Sequence, residues 1–345
     1  MVFSLRGGKV KISVILPTNR PLGPMYALNG LSKQTFPQED FELIIVDDYP
    51  EDRSGVITDT SELLGLEKVS VLKSKGNYWR SNRLISNARN TGLIHAKGEL
   101  VAFLDDYCWI RPRWLEEHWK TYRRKAYTMI GAMQAVKYIP HRVDSLDELP
   151  PLDIDKEGWK SRIDLMDWIT EDQKERANQL ETYGSKDTRG QKPKRNCGGG
   201  WFYTCNASAP LEKIIEVNGF DEQFDTCSEE DIDLGLRLER AGCKFFYRPE
   251  PDCTVYHMDH REVDREMKKL PKRYVEVTYE ELRRRGAVES NLDEVQLVLK
   301  EKYGTRFDGS WGLHERNYRN RGPANVVNGK RIFDLRGERR KLRNA

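Results

Sequence analysis

Several signatures that mark common protein classes are missing from this chain of 345 residues. It has no G-x-G-x-x-G fingerprint of a dinucleotide site and no G-x-S-x-G turn of a serine hydrolase. The glycine triplet at residues 198–200 lacks the lysine of a phosphate-binding P-loop. These absences leave dinucleotide-binding proteins, P-loop proteins and serine hydrolases without support.

Paired cysteines and long apolar runs are also missing. The 6 cysteines are scattered and include no C-x-x-C pair, which argues against a disulfide framework or a zinc cage. No apolar run approaches the length of a membrane-spanning helix, and the N-terminus has no signal-peptide core. We therefore expect a soluble, cytoplasmic protein with reduced thiols.

Neither sign of charge dominates, although 33% of the residues are charged. The formal net charge is only +3, so the chain has no overall field that would attract nucleic acid. The hydrophobic fraction of 38% is below the usual range but not low enough to indicate disorder. A chain of this length can bury a large core as one domain with additions, or as two domains.

Apolar runs and helical stripes alternate through the first 140 residues. They predict strands over residues 11–16, 42–46, 69–72 and 100–104, and helices over residues 24–34, 57–66 and 82–96. Strands that lack a period of two and are separated by helices indicate a parallel sheet that is covered on both faces. The predicted fold class is therefore α/β.

Polar side chains follow three of these strands. They are Thr18-Asn19-Arg20, Asp47-Asp48 and Asp105-Asp106. Ligands of open α/β sheets bind beyond the carboxyl ends of the strands. We therefore expect these three polar segments to converge on one edge of the sheet.

The remainder of the chain is organised less regularly. Residues 141–196 are highly charged and are interpreted as an inserted lid or acceptor-binding segment. Core-like sequence then resumes, with helices predicted over residues 210–217 and 228–241 and short strands over 244–247 and 254–256. Residues 1–258 form the predicted main domain. Residues 259–345 form a polar, helix-rich extension, and we expect its basic tail KRIFDLRGERRKLRNA to be mobile.

The carboxylate pair Asp105-Asp106 has two interpretations. Two unpartnered charges at the edge of a core repel each other and are costly to desolvate. Hard cations such as Mg²⁺ or Mn²⁺ prefer oxygen ligands and are often held by one or two carboxylates plus substrate phosphates. The pair therefore indicates either a metal site, with one carboxylate on a ribose, or a capping turn before a helix that begins at Pro112.

Further acidic residues and one histidine also have a functional and a structural interpretation. Asp48 either contacts a ribose or base edge or closes an Asx-type turn. Asp231 and its neighbour Glu230 either provide a general base for an acceptor hydroxyl or cap the start of a helix. His257 is either a metal ligand or a packed or exposed histidine.

Each motif is ambiguous alone, but their order is informative. The order is SVILPTNR, ELIIVDD, NARNTGLIHAKGELVAFLDD, NGFDEQF, EEDIDLGLRLERAG and VYH. This order resembles that of the family 2 glycosyltransferases of the GT-A fold, over about residues 9–258. The resemblance implies a Rossmann-like, mixed and mostly parallel sheet flanked by helices. It also implies transfer of a sugar from a nucleotide-diphosphate sugar, with a UDP-sugar favoured, to an acceptor hydroxyl.

The resemblance implies residues that bind the donor. By position, Pro17 and Asp48 would contact the base, and Arg89 would lie near the nucleotide. Asp105 would contact the ribose or the donor sugar.

The resemblance also implies a cation and a base. Asp106 would hold Mn²⁺ or Mg²⁺, with His257 as a second ligand. Asp231 would be the base, with Glu230 as the alternative, in a reaction that usually inverts the anomeric centre. Many relatives have a further acid two positions after the first, where this chain has Tyr107.

The acceptor and the activity itself have alternatives. The acceptor is a glycan, a lipid-linked sugar, a protein or a modified nucleic acid, and the basic residues 186–195 and the basic tail favour an anionic one unless they are simply solvated. A non-catalytic nucleotide-sugar or glycan-binding module on the same fold is the main alternative to an enzyme. A nucleotidyltransferase has less support, because the glycine-rich, basic amino-terminal loop of that class is missing.

Overall fold

The computed structural model describes residues 10–20, 23–50, 52–76, 85–125, 128–131, 133–136, 196–222, 224, 230–248, 250–258, 324–327 and 330–345. Its strands are β1 Ile12–Thr18, β2 Phe41–Asp47, β3 Val69–Leu72, β4 Leu100–Leu104, β5 Cys108–Ile110, β6 Thr128–Gly131, β7 Met133–Val136, β8 Asn196–Cys197, β9 Asn206–Pro210, β10 Phe245–Arg248, β11 Val255–Met258, β12 Val326–Val327 and β13 Lys330–Arg331. Its α-helices are α1 Met25–Ser32, α2 Ser54–Leu63, α3 Ile85–His95, α4 Trp114–Lys125, α5 Leu211–Glu216, α6 Glu230–Arg240 and α7 Leu335–Asn344.

The main sheet has the strand order β3-β2-β1-β4-β9-β6-β10-β8. The first four of these strands are mutually parallel. β9 runs antiparallel between β4 and β6. A second sheet is formed by β5, β11 and β7. A mixed, mostly parallel sheet flanked by helices is therefore confirmed, as expected for the GT-A fold.

Both faces of the main sheet are buried, which explains the uninterrupted apolar runs of its strands. In β4, Val101 and Phe103 face one core cluster, to which α3, α5 and α6 contribute. Leu100, Ala102 and Leu104 face the other cluster, to which α1 and α4 contribute. Because side chains alternate between the two faces, a strand that is covered on both sides needs apolar residues at every position.

The predicted elements of the first half are found with small shifts of their boundaries. Strands β3 and β4 have the predicted bounds, and α1, α2 and α3 lie within one to three residues of theirs where described. Strands β5, β6, β7 and β9 were not predicted. The run NASAP of β9 is small and weakly apolar, and its extended form comes from pairing with β4 on one side and β6 on the other. Such pairing partners are distant in sequence and leave no local signal.

The prediction of a mobile basic tail is wrong for the part that the structure describes. Residues 330–345 contain β13 and α7, and Phe333 and Leu335 are buried in the core cluster that also contains α3 residues. Arg339 of α7 is buried as well. The sequence prediction missed these few buried side chains because most residues of the tail are charged. Of the predicted insert 141–196, residues 141–195, which include the basic residues 186–195, lie outside the described residues.

Two expectations drawn from composition can be compared with the structure. The cysteines among the described residues are free, and Cys227 lies outside them. No helix in the part of the chain that the structure describes combines the length and the apolar character needed to cross a membrane.

Gly235 of α6 lies against the backbone of the 3₁₀ turn Gly199–Trp201. A Cβ added at Gly235 would lie 2.1 Å from the Gly199 carbonyl oxygen and 2.4 Å from Cβ of Phe202. We expect Gly235→Ala to lower the free energy of unfolding by about 1–3 kcal/mol, because the overpacked backbone must move. Urea unfolding measures this loss.

A matched control for this substitution lies in α2. Nothing lies within 4 Å of a Cβ added at Gly55. Gly55→Ala is therefore expected to leave the stability unchanged or to raise it by up to about 1 kcal/mol. Equal destabilisation by both substitutions would contradict the proposed close packing of α6.

Candidate active site

The carboxyl ends of β1, β2 and β4 lie side by side at one edge of the main sheet. Thr18 is paired with Asp47 in the register of β1 and β2, and the Asp48 amide donates to the Thr18 carbonyl over 2.8 Å. The amino end of β9 reaches the same edge, because Asn206 is the antiparallel partner of Leu104. The three polar segments predicted from the sequence therefore meet here.

Asp106 turns inward at this edge and is 3% exposed. Thr18 Oγ1 donates to its Oδ2 over 3.0 Å, and Arg20 Nη1 donates to its Oδ1 over 2.6 Å. The following residue, Tyr107, has a φ of 56°, and its amide donates to the Gly23 carbonyl over 2.9 Å. A left-handed conformation is strained for an aromatic residue. The turn thus holds Asp106 where both carboxylate oxygens accept hydrogen bonds from β1 and the residues that follow it.

Asp105 faces α3 instead, and its side chain is 28% exposed. Arg89 Nη2 donates to Asp105 Oδ1 over 2.9 Å, and Arg89 Nη1 donates to Glu230 Oε1 over 2.6 Å. The guanidinium of Arg89 lies 5.5 Å from the ring centroid of Phe220. Burial lowers the pKa of Arg89, but the charges of Asp105, Glu230 and Asp231 outweigh burial and raise it. Arg89 is therefore a permanent cation that joins the end of β4 to the start of α6.

Asp231 lies in the first turn of α6, next to Glu230. The amides of Ile232 and Thr204 donate to its carboxylate over 2.7 and 3.4 Å. Burial raises the pKa of Asp231 well above its usual range, the charge of Glu230 raises it further, and Arg89 opposes both. A carboxylate with a raised pKa is a better proton acceptor near neutral pH than a solvated one.

The predicted nucleotide contacts lie at the β1 and β2 part of the edge. The Ser74 amide donates to the Asp48 carboxylate over 3.1 Å, and its hydroxyl donates as well. Burial raises the pKa of Asp48, and these hydrogen bonds partly offset the rise. Asp47 instead forms two hydrogen bonds with Arg53. Pro17 is buried within β1. Binding of a base by Pro17 and Asp48 stays a prediction.

His257 lies in β11, opposite Cys108 of β5, and is partly exposed. Because Cys108 follows Asp106 by two residues, the pairing brings the His257 backbone close to the Asp105-Asp106 turn. In the described ranges, no group of three or more His, Cys, Asp or Glu side chains is placed to hold a metal ion. A cation bound here needs ligands from substrate phosphates or water, and metal binding by Asp106 and His257 stays a prediction.

The motif pattern assigned no role to Arg20 or Cys205. Arg20 forms the ion pair with Asp106 and follows β1 in a segment that the sequence did single out. Burial raises the pKa of the Cys205 thiol, and the charges of Asp105 and Asp231 raise it further, so the thiol lies in the field of this cluster. Cys205 could not be found from the sequence, because an isolated cysteine is usually a small buried hydrophobe.

Part of the amino-acid sequence matches the model of a known protein family. Residues 25–175 match the family model described as Glycosyl transferase family 2. This part of the chain is similar to glycosyl transferase family 2. The resemblance drawn from the motif order is therefore confirmed. The matched range includes Asp48, Arg89 and the Asp105-Asp106 turn, whereas Asp231 and His257 lie beyond it.

Individual proteins similar to this chain include three glycosyltransferases. The chain is 28% identical over 238 residues to validoxylamine A glucosyltransferase of Streptomyces hygroscopicus subsp. limoneus, covering 67% of this chain and 48% of that protein. It is 34% identical over 109 residues to poly(ribitol-phosphate) beta-N-acetylglucosaminyltransferase TarP of Staphylococcus aureus (strain N315), covering 31% of each. The crystal structure of S. aureus TarS superposes with a TM-score of 0.47 and 19% identity, covering 74% of this chain and 38% of TarS. The chain spans about half the length of the first curated relatives that it matches.

Proposed function

We propose that this chain is an inverting glycosyltransferase that moves a sugar from a UDP-sugar to an acceptor hydroxyl. The observation that carries the proposal is the cluster at the sheet edge, where Arg89 binds Asp105 and Glu230 and the raised pKa of Asp231 suits a base. The match of residues 25–175 to the model of glycosyl transferase family 2 supports it. The names of two relatives, a glucosyltransferase and an N-acetylglucosaminyltransferase, favour glucose or N-acetylglucosamine as the sugar.

In the proposed complex, the donor binds across the ends of β1, β2 and β4. Asp48 and Pro17 contact the base, and the partly exposed carboxylate of Asp105 contacts the ribose or donor sugar. Arg89 orients Asp105, since its guanidinium is fixed by Glu230 on the other side. These groups position the anomeric carbon for attack.

The reaction that we propose is a single displacement. The acceptor oxygen forms a bond to the anomeric carbon while the bond from that carbon to the diphosphate oxygen breaks, and UDP leaves. The hydroxyl proton passes to Asp231, which is deprotonated at the start. A single displacement with one base inverts the anomeric centre, by analogy with inverting glycoside chemistry.

The side chains at the sheet edge provide only some of the ligands that a divalent cation needs. Asp105 offers a partly exposed carboxylate, and His257 lies on the strand that is paired with β5. Asp106 already accepts hydrogen bonds from Thr18 and Arg20 at both oxygens, so it must exchange Arg20 for the ion. We propose Asp106 and His257 as the protein ligands of Mn²⁺ or Mg²⁺. When bound, the ion would neutralise negative charge on the diphosphate.

The function is tested by a turnover screen. Purified chain is mixed with UDP-glucose, UDP-N-acetylglucosamine or GDP-mannose, with Mn²⁺ present, and with polyol phosphate, glycan and nucleic-acid acceptors, and released nucleotide is measured. Acceptor-dependent release of UDP is the expected result. Tight binding of UDP-sugars without turnover over the whole panel would favour a non-catalytic nucleotide-sugar-binding module instead.

An anionic acceptor is favoured by two observations. A relative is named for transfer to poly(ribitol-phosphate), and the basic side chains of residues 330–343 are mostly exposed. We therefore place polyol phosphates first in the panel. Binding of such an acceptor is expected to weaken steeply as salt rises, whereas binding of a neutral glycan is not.

The cation is tested by removing the proposed ligand. In Asp106→Asn, we expect loss of Mn²⁺ binding, measured by electron paramagnetic resonance in the presence of UDP, and loss of Mn²⁺-stimulated turnover. Asp252→Asn, which alters a carboxylate close to Arg113, is the control and is expected to leave both unchanged. If Asp106→Asn binds Mn²⁺ as the parent chain does, Asp106 is not a ligand.

A further inference from the structure

Residues 324–327 and 330–345, which we call the C-terminal segment, include a fully buried polar residue near their start. Asn325 is 0% exposed, and its φ of 61° lies in the left-handed region that asparagine tolerates better than most residues. A buried amide needs partners for its donors and its acceptor, because an unpaired polar group is costly inside a protein.

The side chain of Asn325 bonds to residues 218–222, which we call the α5–α6 loop, whereas its backbone carbonyl accepts from the Ile332 amide. Asn325 Nδ2 donates to the carbonyls of Asn218 and Phe220 over 3.1 and 2.9 Å. Its Oδ1 accepts from the Glu222 amide over 2.8 Å, and its own amide donates to Asp221 Oδ1 over 3.2 Å. The Asn325 side chain therefore provides hydrogen-bond partners for backbone groups of a loop, which has no strand or α-helix to pair them.

The α5–α6 loop is bound on its other side to α3. Asn90 accepts from the Phe220 amide over 2.9 Å and donates to the Phe220 carbonyl and to Glu222 over 3.0 and 2.9 Å. Asn87 also donates to Glu222, over 3.3 Å. Arg89 lies between these two asparagines in α3, and its guanidinium contacts the Phe220 ring. The loop thus lies between Asn325 and the turn of α3 that carries Arg89.

The C-terminal segment also contacts the end of α3 directly. Arg339 donates to the carbonyls of Leu93, Ile94 and Ala96, which lie at and just beyond the last turn of the helix. A cationic donor at this end satisfies carbonyls that lack helical partners and interacts favourably with the helix dipole. The segment therefore fixes α3 at its end through Arg339 and near its middle through the α5–α6 loop.

We propose that Asn325 is a positioning residue for the nucleotide-sugar site. It holds the α5–α6 loop against α3, so that Arg89 keeps its place between Asp105 and Glu230. This inference rests on the proposed function where activity is the readout. The C-terminal segment thereby contributes to donor binding, although it lies far along the chain from the motifs that carry the family resemblance.

The test compares two full-length variants, each of which removes buried hydrogen bonds of a side chain. Asn325→Gly keeps the left-handed backbone and removes only the amide side chain. Trp114→Phe is the control, because it removes a buried hydrogen bond of 2.9 Å from Trp114 Nε1 to Asn206 Oδ1 within the core cluster on the opposite face of the sheet. Both are measured well below their melting temperatures.

We expect Asn325→Gly to lower kcat/KM for the donor by about 10- to 100-fold, chiefly through KM, since small displacements of positioning groups have such effects. Trp114→Phe is expected to leave the donor KM unchanged.

Hydrogen exchange provides a readout that needs no activity. In Asn325→Gly, the amides of α3 and of residues 218–222 are expected to exchange faster than in Trp114→Phe, since their opening needs less free energy. If the parent chain turns over no donor, the proposed function is wrong, but the comparison of hydrogen exchange between the two variants remains valid. Equal exchange in the two variants, or faster exchange without a change in donor KM in an active enzyme, would overturn the positioning role of Asn325.

Discussion

Asp231→Asn is expected to transfer sugar about 10²- to 10⁴-fold more slowly than the parent chain, since a positioned general base contributes a factor of that size. UDP binding is expected to be unchanged, because the amide oxygen of asparagine can still accept from the Ile232 amide, which forms the shorter of the two hydrogen bonds to this side chain. Initial rates and calorimetric titration with UDP separate the two effects. Full activity in Asp231→Asn, together with inactive Glu230→Gln, would instead identify Glu230 as the base.

The same substitution has an expected effect on pH dependence. Because the pKa of folded Asp231 is raised above that of the unfolded chain, the folded state binds the extra proton and its stability falls as pH rises through the window between the two values. Asparagine removes this loss, so Asp231→Asn should melt higher than the parent chain at pH 8 but not at pH 4. Turnover of the parent chain should rise over the same window, as Asp231 becomes deprotonated. A melting difference that does not depend on pH would argue against a raised pKa.

Arg89→Met is expected to lower the free energy of unfolding by about 3–5 kcal/mol, since it leaves the carboxylates of Asp105 and Glu230 near each other without their cation. Methionine retains most of the apolar volume of arginine, so the loss of stability measures the effect of removing the positive charge. Urea unfolding at neutral pH measures it. Adding Glu230→Gln to Arg89→Met should recover part of the loss, because it removes one of the two unpaired charges.

An exposed arginine with a similar set of partners provides the control for Arg89→Met. Arg113 forms ion pairs with Glu116 and Glu117 at the surface of α4. Exposed pairs of this kind contribute about 0–1 kcal/mol. Arg113→Met is therefore expected to change stability little. Equal losses at the two positions would show that burial does not strengthen the Arg89 cluster.

The sequence predicted the fold class and the edge of the sheet where the site lies, because both depend on local patterns. The apolar runs of β1 to β4 could be read directly, and polar residues that follow parallel strands must meet at one edge. The sequence also placed Asp231 at a helix start. Local pattern could not give the direction of the Asp105 and Asp106 side chains, since adjacent carboxylates at a strand end look alike until the fold is known, and their different roles were implied only by the resemblance.

The pattern of apolar and polar residues was enough by itself to determine a doubly covered, mostly parallel sheet, because strand and helix periodicity are properties of neighbouring residues. The resemblance to family 2 glycosyltransferases came from the order of the motifs. Only the tertiary structure decided that Asp106 is turned toward Arg20 while Asp105 is turned toward Arg89, and that Asn325 and Arg339 anchor the C-terminal segment to the α5–α6 loop and α3. These pairs join residues 16 to 246 positions apart in the chain. Hydrogen bonds and ion pairs over such separations depend on where the folded chain brings each group, and no local sequence pattern encodes that.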